Sequence, residues 1–165
     1  MDEQVQMSGI AGGGARSARG REPVSLQAYL DHRLGRGRPW WRQTYDVLVG
    51  PLLAPSFAGF WRLWNPVWGY YLLYWCYRPA RRVLPRAAAV LMTFAASGLA
   101  HNLLAVALSR RVNPFVTVWF TLYGVVAVVS DALGMDLSRF PGPVRVAVNL
   151  AYLAGCYLLV SPLLP

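Results

Sequence analysis

The chain has 165 residues, of which 56% are hydrophobic, 13% aromatic and only 14% charged. A soluble domain of this length carries nearer 25% charged residues, so the composition excludes an ordinary soluble globule and fits a multi-pass membrane protein. The formal charge of +9 comes from 16 basic residues, all arginine. They flank apolar runs instead of forming a basic face interleaved with exposed aromatics, which reads as membrane orientation and not as a nucleic-acid surface.

Residues 1–23 mix Gly, Ser, Ala and Arg without an apolar period. They read as a flexible tail in which Gly12-Gly13-Gly14 is a linker and not a phosphate loop. Residues 24–165 read as one membrane domain. Leu26, Tyr29, Leu30 and Leu34 share one face of a short helix expected to lie at the membrane interface, with Asp31, His32 and Arg33 elsewhere. Arg36, Arg38, Trp40, Trp41, Arg42 and Tyr45 have the composition of the headgroup level. The apolar stretch 47–58 is broken by Pro51 and Pro55 and reads as a dipping or surface segment. Pro66 to Tyr77 is apolar for only 12 residues, too few to span, so it is expected to be re-entrant or packed against other helices.

Ala87 to Leu108 is 22 residues without a charge, about 33 Å as a helix against a hydrocarbon core of about 30 Å. Further apolar runs cover 114–133 and 144–164. Six arginines (Arg78, Arg81, Arg82, Arg86, Arg139, Arg145) fall on one side of these runs and two (Arg110, Arg111) on the other, which puts the tail and the loop before Ala87 in the cytoplasm. The expected fold is an all-α, multi-pass transmembrane bundle with interfacial and re-entrant helices. Cys76 and Cys156 lie inside apolar runs and have no metal spacing, so no metal is implied.

His101 is the residue that asks for a function. It falls about 5 Å from the middle of its span, and Thr93, Ser97 and His101 form one stripe at i, i+4 and i+8. Such a stripe is expected to face the bundle interior or a wet cavity. Asp131 and Asn149 should lie about 18 and 13 Å from it in depth, and Asn102 about 100° round the helix.

Two patterns flank an Arg78-Pro79 pair: Phe60-Trp-Arg-Leu-Trp-Asn65 before it and Ser97-Gly-Leu-Ala-His101 after it. Together they resemble the membrane-bound O-acyltransferase family, and most its wax-synthase-like branch, over about a third of the chain, from Pro55 to Ala107. The resemblance implies transfer of an acyl group from acyl-CoA to a hydrophobic hydroxyl acceptor, a long-chain alcohol or glyceride. No cofactor beyond that co-substrate is implied. His101 and Asn65 would be the catalytic pair, and Trp61, Trp64, Arg78 and Ser97 would bind substrate. The chain departs from the pattern at Asn102, where the family carries an acidic residue, and in having three spans where full members have many more.

The plainer readings stand beside these. The tryptophans read first as interface anchors or packing, and the arginines at 78–86 first as topology signals. Without its motifs, His101 would read as a helix-to-helix hydrogen-bonding residue. The alternatives to an enzyme are a non-catalytic membrane subunit or truncated homologue that needs a second copy or a partner membrane protein, and a haem-binding membrane protein.

Overall fold

The computed structural model describes residues 24–110 and 113–163. The expected tail (1–23) and the end of the third apolar run lie outside the described residues. All regular structure among the described residues is helical.

Helix α1 (Leu26–Leu34) starts where the Ser25 hydroxyl accepts the Ala28 N–H and stops at Gly35, whose φ of 82° no β-carbon would welcome. Its apolar face turns toward the protein. Tyr29 meets Tyr70 edge-on at 5.4 Å, and Leu26, Leu30 and Leu34 line a hollow of about 540 Å³ shared with Gln43. The next helix, α2 (Trp40–Leu48), does the opposite. Trp40, Trp41, Tyr45 and Leu48 are 79%, 54%, 55% and 53% exposed, while Gln43 and Asp46 are half-buried. The outward apolar face expected of the first helix therefore belongs to the second.

Residues 49–55 carry turns, and Pro51 and Pro55 explain why no helix runs through them. Four consecutive carbonyls in this stretch are met by donors from far along the chain. Asn149 Nδ2 donates to Leu52 O (2.9 Å) and Ala54 O (3.1 Å), Arg145 Nη1 to Leu53 O (3.2 Å), and the Leu137 N–H to Pro55 O (2.7 Å). Irregular backbone in an apolar setting needs such partners.

Helix α3 (Phe57–Leu63) is capped by Ser56 and supplies the centre of the core. Phe57 is 1% exposed, with its ring 5.9 Å from Tyr123 and 5.0 Å from Tyr152. Helix α4 (Pro66–Tyr71) runs directly into a π-helical segment, Leu72–Tyr77, and the short α5 (Arg78–Ala80). The wide turn has a local cause. Pro79 lacks an N–H and its ring would press on the carbonyl four residues earlier, so the preceding turn opens and the Arg78 N–H bonds Leu73 O, five residues back. At about 1.5 Å per residue the 15 residues from Pro66 to Ala80 reach about 22 Å, short of a crossing.

Among the described residues three helices are long and apolar enough to cross a membrane: α6 (Arg86–Ser109), α7 (Phe115–Ala132) and α8 (Gly142–Val160). Helices α6 and α7 form an antiparallel hairpin fastened at four levels. Arg86 pairs with Asp131 (3.0 Å) at one end. Gly124 admits Phe94, whose Cβ lies 2.9 Å from where a glycine β-carbon would stand, and Gly98 admits α7 so closely that its β-carbon would sit 2.7 Å from Thr117 Cα. Asn102 Nδ2 donates to Thr117 Oγ1 (2.7 Å) at the fourth level. Small residues allow this approach, and polar pairs hold it.

Candidate functional site around His101

The geometry at His101 begins with its own helix. Nδ1 lies 2.7 Å from the Ser97 carbonyl oxygen. A carbonyl can only accept, so Nδ1 carries the proton and, in the neutral ring, Nε2 keeps its lone pair. The imidazole is held on two sides. Phe120 of α7 stacks on it at 4.9 Å and 28°, and Trp68 of α4 meets it edge-on at 5.6 Å and 83°. His101 is nonetheless exposed. The sequence expectation is a stripe facing the bundle interior or a wet cavity; in the structure Trp68 of α4 and Phe120 of α7 contact the ring while the residue stays exposed.

The stripe at i, i+4 and i+8 resolves into three different environments. Thr93 Oγ1 donates to Ala89 O at 2.7 Å within its own helix. Ser97 is 3% exposed, and its hydroxyl accepts the Trp68 indole N–H at 2.9 Å. His101 turns outward. Of the neighbours expected to lie apart from it, Asp131 pairs with Arg86, Asn149 binds the Leu52 and Ala54 carbonyls, and Asn102 binds Thr117.

Asn65 is tied to this group through Trp68. It sits at the start of α4 with φ 42° and ψ 75°, a left-handed conformation that Asn tolerates better than most residues. Its Oδ1 accepts the Trp68 backbone N–H at 3.1 Å. The sequence expectation has Asn65 orienting reacting groups; in the structure its side-chain oxygen caps α4 and fixes the residue whose indole reaches Ser97 and His101. The structure thus connects Asn65, Trp68, Ser97 and His101.

The other expected substrate residues are engaged elsewhere. Trp61 is packed in the core, with its ring 4.9 Å from Tyr123 and 5.3 Å from Phe94, and its buried Nε1 lacks a hydrogen-bond partner among the described residues. Trp64 is 41% exposed and stacks on Phe60 at 5.6 Å. Arg78 lies over the Tyr74 ring at 4.2 Å, an arrangement that leaves its guanidinium exposed. Trp68 is the residue that sequence reasoning grouped with the anchors and that the structure puts at the centre. Its only sequence signal was its place three residues after a capping Asn. Among the described residues no group of three His, Cys, Asp or Glu side chains could hold a metal.

No protein-family model, curated protein or solved structure matches the chain.

Proposed function

We propose that this chain is a multi-pass integral membrane protein that works as the catalytic part of an O-acyltransferase, similar to the wax-synthase-like branch of the membrane-bound O-acyltransferases. In this reading α6, α7 and α8 cross the bilayer, with the tail and the Arg78 to Arg86 loop in the cytoplasm. The observation that carries it is the 2.7 Å contact between His101 Nδ1 and the Ser97 carbonyl. With the Nδ1–H donated to that carbonyl, the Nε2 lone pair of an exposed ring is left as the base.

The reaction that fits is direct. Nε2 takes the proton of an acceptor hydroxyl as its oxygen attacks the thioester carbonyl of acyl-CoA. The imidazolium, steadied through Nδ1–H by Ser97 O, returns that proton to the departing thiolate, so an ester and free CoA are formed and the base is restored. A site set in the bilayer limits competing hydrolysis of the thioester. The ordered motifs from Phe60 to His101 support the assignment, and Trp68 supports the geometry.

One observation favours a second reading, a subunit that acts only with a partner. Just 22%, 22% and 17% of the apolar windows of α6, α7 and α8 are buried, and His101 opens onto that uncovered surface. Labelled acyl-CoA transfer in membranes, with a panel of long-chain alcohols and glycerides, separates the two. The enzyme reading expects His101→Ala to lose about 10² to 10⁴ in rate. Transfer at the original rate in that variant, or no transfer by the intact protein with its partners present, overturns it in favour of the subunit.

A further inference from the structure

The outward face of α2 is the part of the molecule left over by the proposed reaction. An amphipathic helix in water turns its apolar side to the protein. Helix α2 turns Gln43 and Asp46 to its other side, where Gln43 lines the hollow beside α1 and its Nε2 donates to Arg38 O at 3.0 Å, and where Asp46, its side chain 37% exposed, pairs with Arg38. It presents Trp40, Trp41, Tyr45 and Leu48 to the outside. Such an arrangement calls for an apolar medium on the far side.

Two further observations say which medium. The first is depth. Three residues after α2, the chain enters the stretch whose carbonyls are held by Arg145 and Asn149. Those residues lie three and seven positions into α8, about 5 and 10 Å from its first residue. Helix α2 is thereby tethered near the end of α8 that lies beside Arg139 and Arg145. The second is charge. Arg33, Arg36, Arg38 and Arg42 surround α2 against Asp31 and Asp46 alone. Arg36 pairs with Asp31 and Arg38 with Asp46, while Arg33 and Arg42 lie over the Tyr29 and Trp41 rings, 5.6 and 5.1 Å from their centroids. Tryptophan and tyrosine side chains beside two arginines that make no ion pair among the described residues match the boundary between acyl chains and anionic headgroups.

We propose that α2 is an interfacial docking element for anionic phospholipid, with Trp40, Trp41, Tyr45 and Leu48 entering the acyl boundary and Arg33 and Arg42 meeting the headgroup charge. The proposal rests on the membrane part of the reading above and not on acyl transfer. The test uses the full chain in lipid nanodiscs, with Cys76 and Cys156 replaced by Ser and single nitroxide labels at positions 43, 45, 48 and, as a bilayer control, 104. Leu104 is 61% exposed on α6. Labels at 45 and 48 should be open to oxygen and several-fold less open to a water-soluble nickel chelate than the label at 43. If the label at 104 behaves as lipid-facing but those at 45 and 48 are open to the chelate, α2 docking is overturned and the membrane reading stands. If all four are open to the chelate, both fall. If 45 and 48 are shielded from both reagents only when two chains share a disc, the occupant is a second copy and the lipid proposal is overturned.

The charge claim has its own arm, which needs no cysteine change. Anionic lipid in the disc should raise the unfolding temperature of the intact protein relative to purely zwitterionic lipid, and Arg33→Gln with Arg42→Gln should remove that rise. An intact protein indifferent to lipid charge would overturn the anionic assignment. In the same preparation, brominated lipid should quench more of the tryptophan emission of the intact protein than of Trp40→Phe/Trp41→Phe, and equal quenching would overturn insertion of the two indoles.

Discussion

Trp68 and Ser97 are joined by a 2.9 Å hydrogen bond from indole N–H to hydroxyl across 29 residues of sequence, and Asn65 is linked to that bond through the helix start it caps. The expected order of activity is therefore Asn65→Asp close to the original, because a carboxylate oxygen still accepts the Trp68 N–H, then Asn65→Gly, then Asn65→Ala. Loss of a cap to Ala costs about 0.5 to 2 kcal/mol, and Ala at positive φ adds about 1 to 2. Asn65→Asp inactive at full helix content would show instead that the amide N–H₂ meets the substrate directly.

Gly98 and Gly124 should respond to alanine differently. At Gly98 the added carbon meets backbone, 2.7 Å from Thr117 Cα and 2.9 Å from Val116 O, so α6 and α7 must separate. At Gly124 it meets a single residue, Phe94, at Cβ (2.9 Å) and Cγ (3.0 Å), so α6 must also give way there, but by less than at Gly98. Gly98→Ala should cost about 1 to 3 kcal/mol and Gly124→Ala less. Thermal unfolding of both variants in one detergent gives the comparison, and equal losses would mean that the hairpin is not closest at Gly98.

Asn149 is fully buried and satisfies two carbonyls at once. Replacing it with Leu keeps much of the volume and orphans Leu52 O and Ala54 O. At about 1 to 3 kcal/mol for each unsatisfied group, with one such cost relieved because the buried Asn149 Oδ1 has no partner among the described residues, the net loss should be about 1 to 3 kcal/mol. It should appear first as protease sensitivity at 49–55, ahead of any unfolding of α6 and α7. A variant as resistant as the original there would show that Arg145 and Leu137 hold the turn by themselves.

Acid should loosen the same turn. Hydrogen bonds from the Ser138 backbone N–H and hydroxyl, each 2.8 Å, hold the Asp136 carboxyl below its usual value of 3.8, and the intervening Leu137 N–H is the donor to Pro55 O. A carboxyl depressed in the folded state stabilises above its unfolded value and loses that contribution as pH falls through the lower, folded one. Intact protein should therefore exceed Asp136→Asn in unfolding temperature at neutral pH, and the gap should close as pH falls below about 4. A gap that stays constant with pH would rule out this linkage.

Topology can be read with labels on a cysteine-free chain. Position 80, in the arginine loop, is unsuitable because Ala80 is 4% exposed, whereas Val83 is 82% exposed. With the arginine-rich side inside, a cysteine at 113 should react with an impermeant reagent from outside, and one at 83 only after the membrane is opened. The reverse pattern would invert the assignment.

The three long helices were legible to within a few residues because length and hydropathy are properties of each segment alone. The α1 and α2 faces were not, because periodicity marks an apolar face without saying which way it turns. Helix rise places Asn149 well away from His101 in depth, and the structure gives it partners elsewhere. Its real partners were invisible, since every residue offers a carbonyl and carbonyls leave no mark in a sequence. Trp68 escaped for a related reason: its indole crosses 29 residues to a serine hydroxyl, and nothing in either residue type announces the other.

The clasp on residues 52–55 also sets an order of events during synthesis. Its donors stand 82 to 97 residues later in the chain, and at about 5 to 20 residues per second a ribosome needs on the order of 5 to 20 s to reach them. During that interval the turn has no native partners, while α6 and α7 emerge and can already close on each other through Gly98 and Gly124. The N-terminal third therefore waits in an unfinished state until α8 is made. A stalled or truncated chain ending before residue 137 would leave those four carbonyls bare to quality-control proteases.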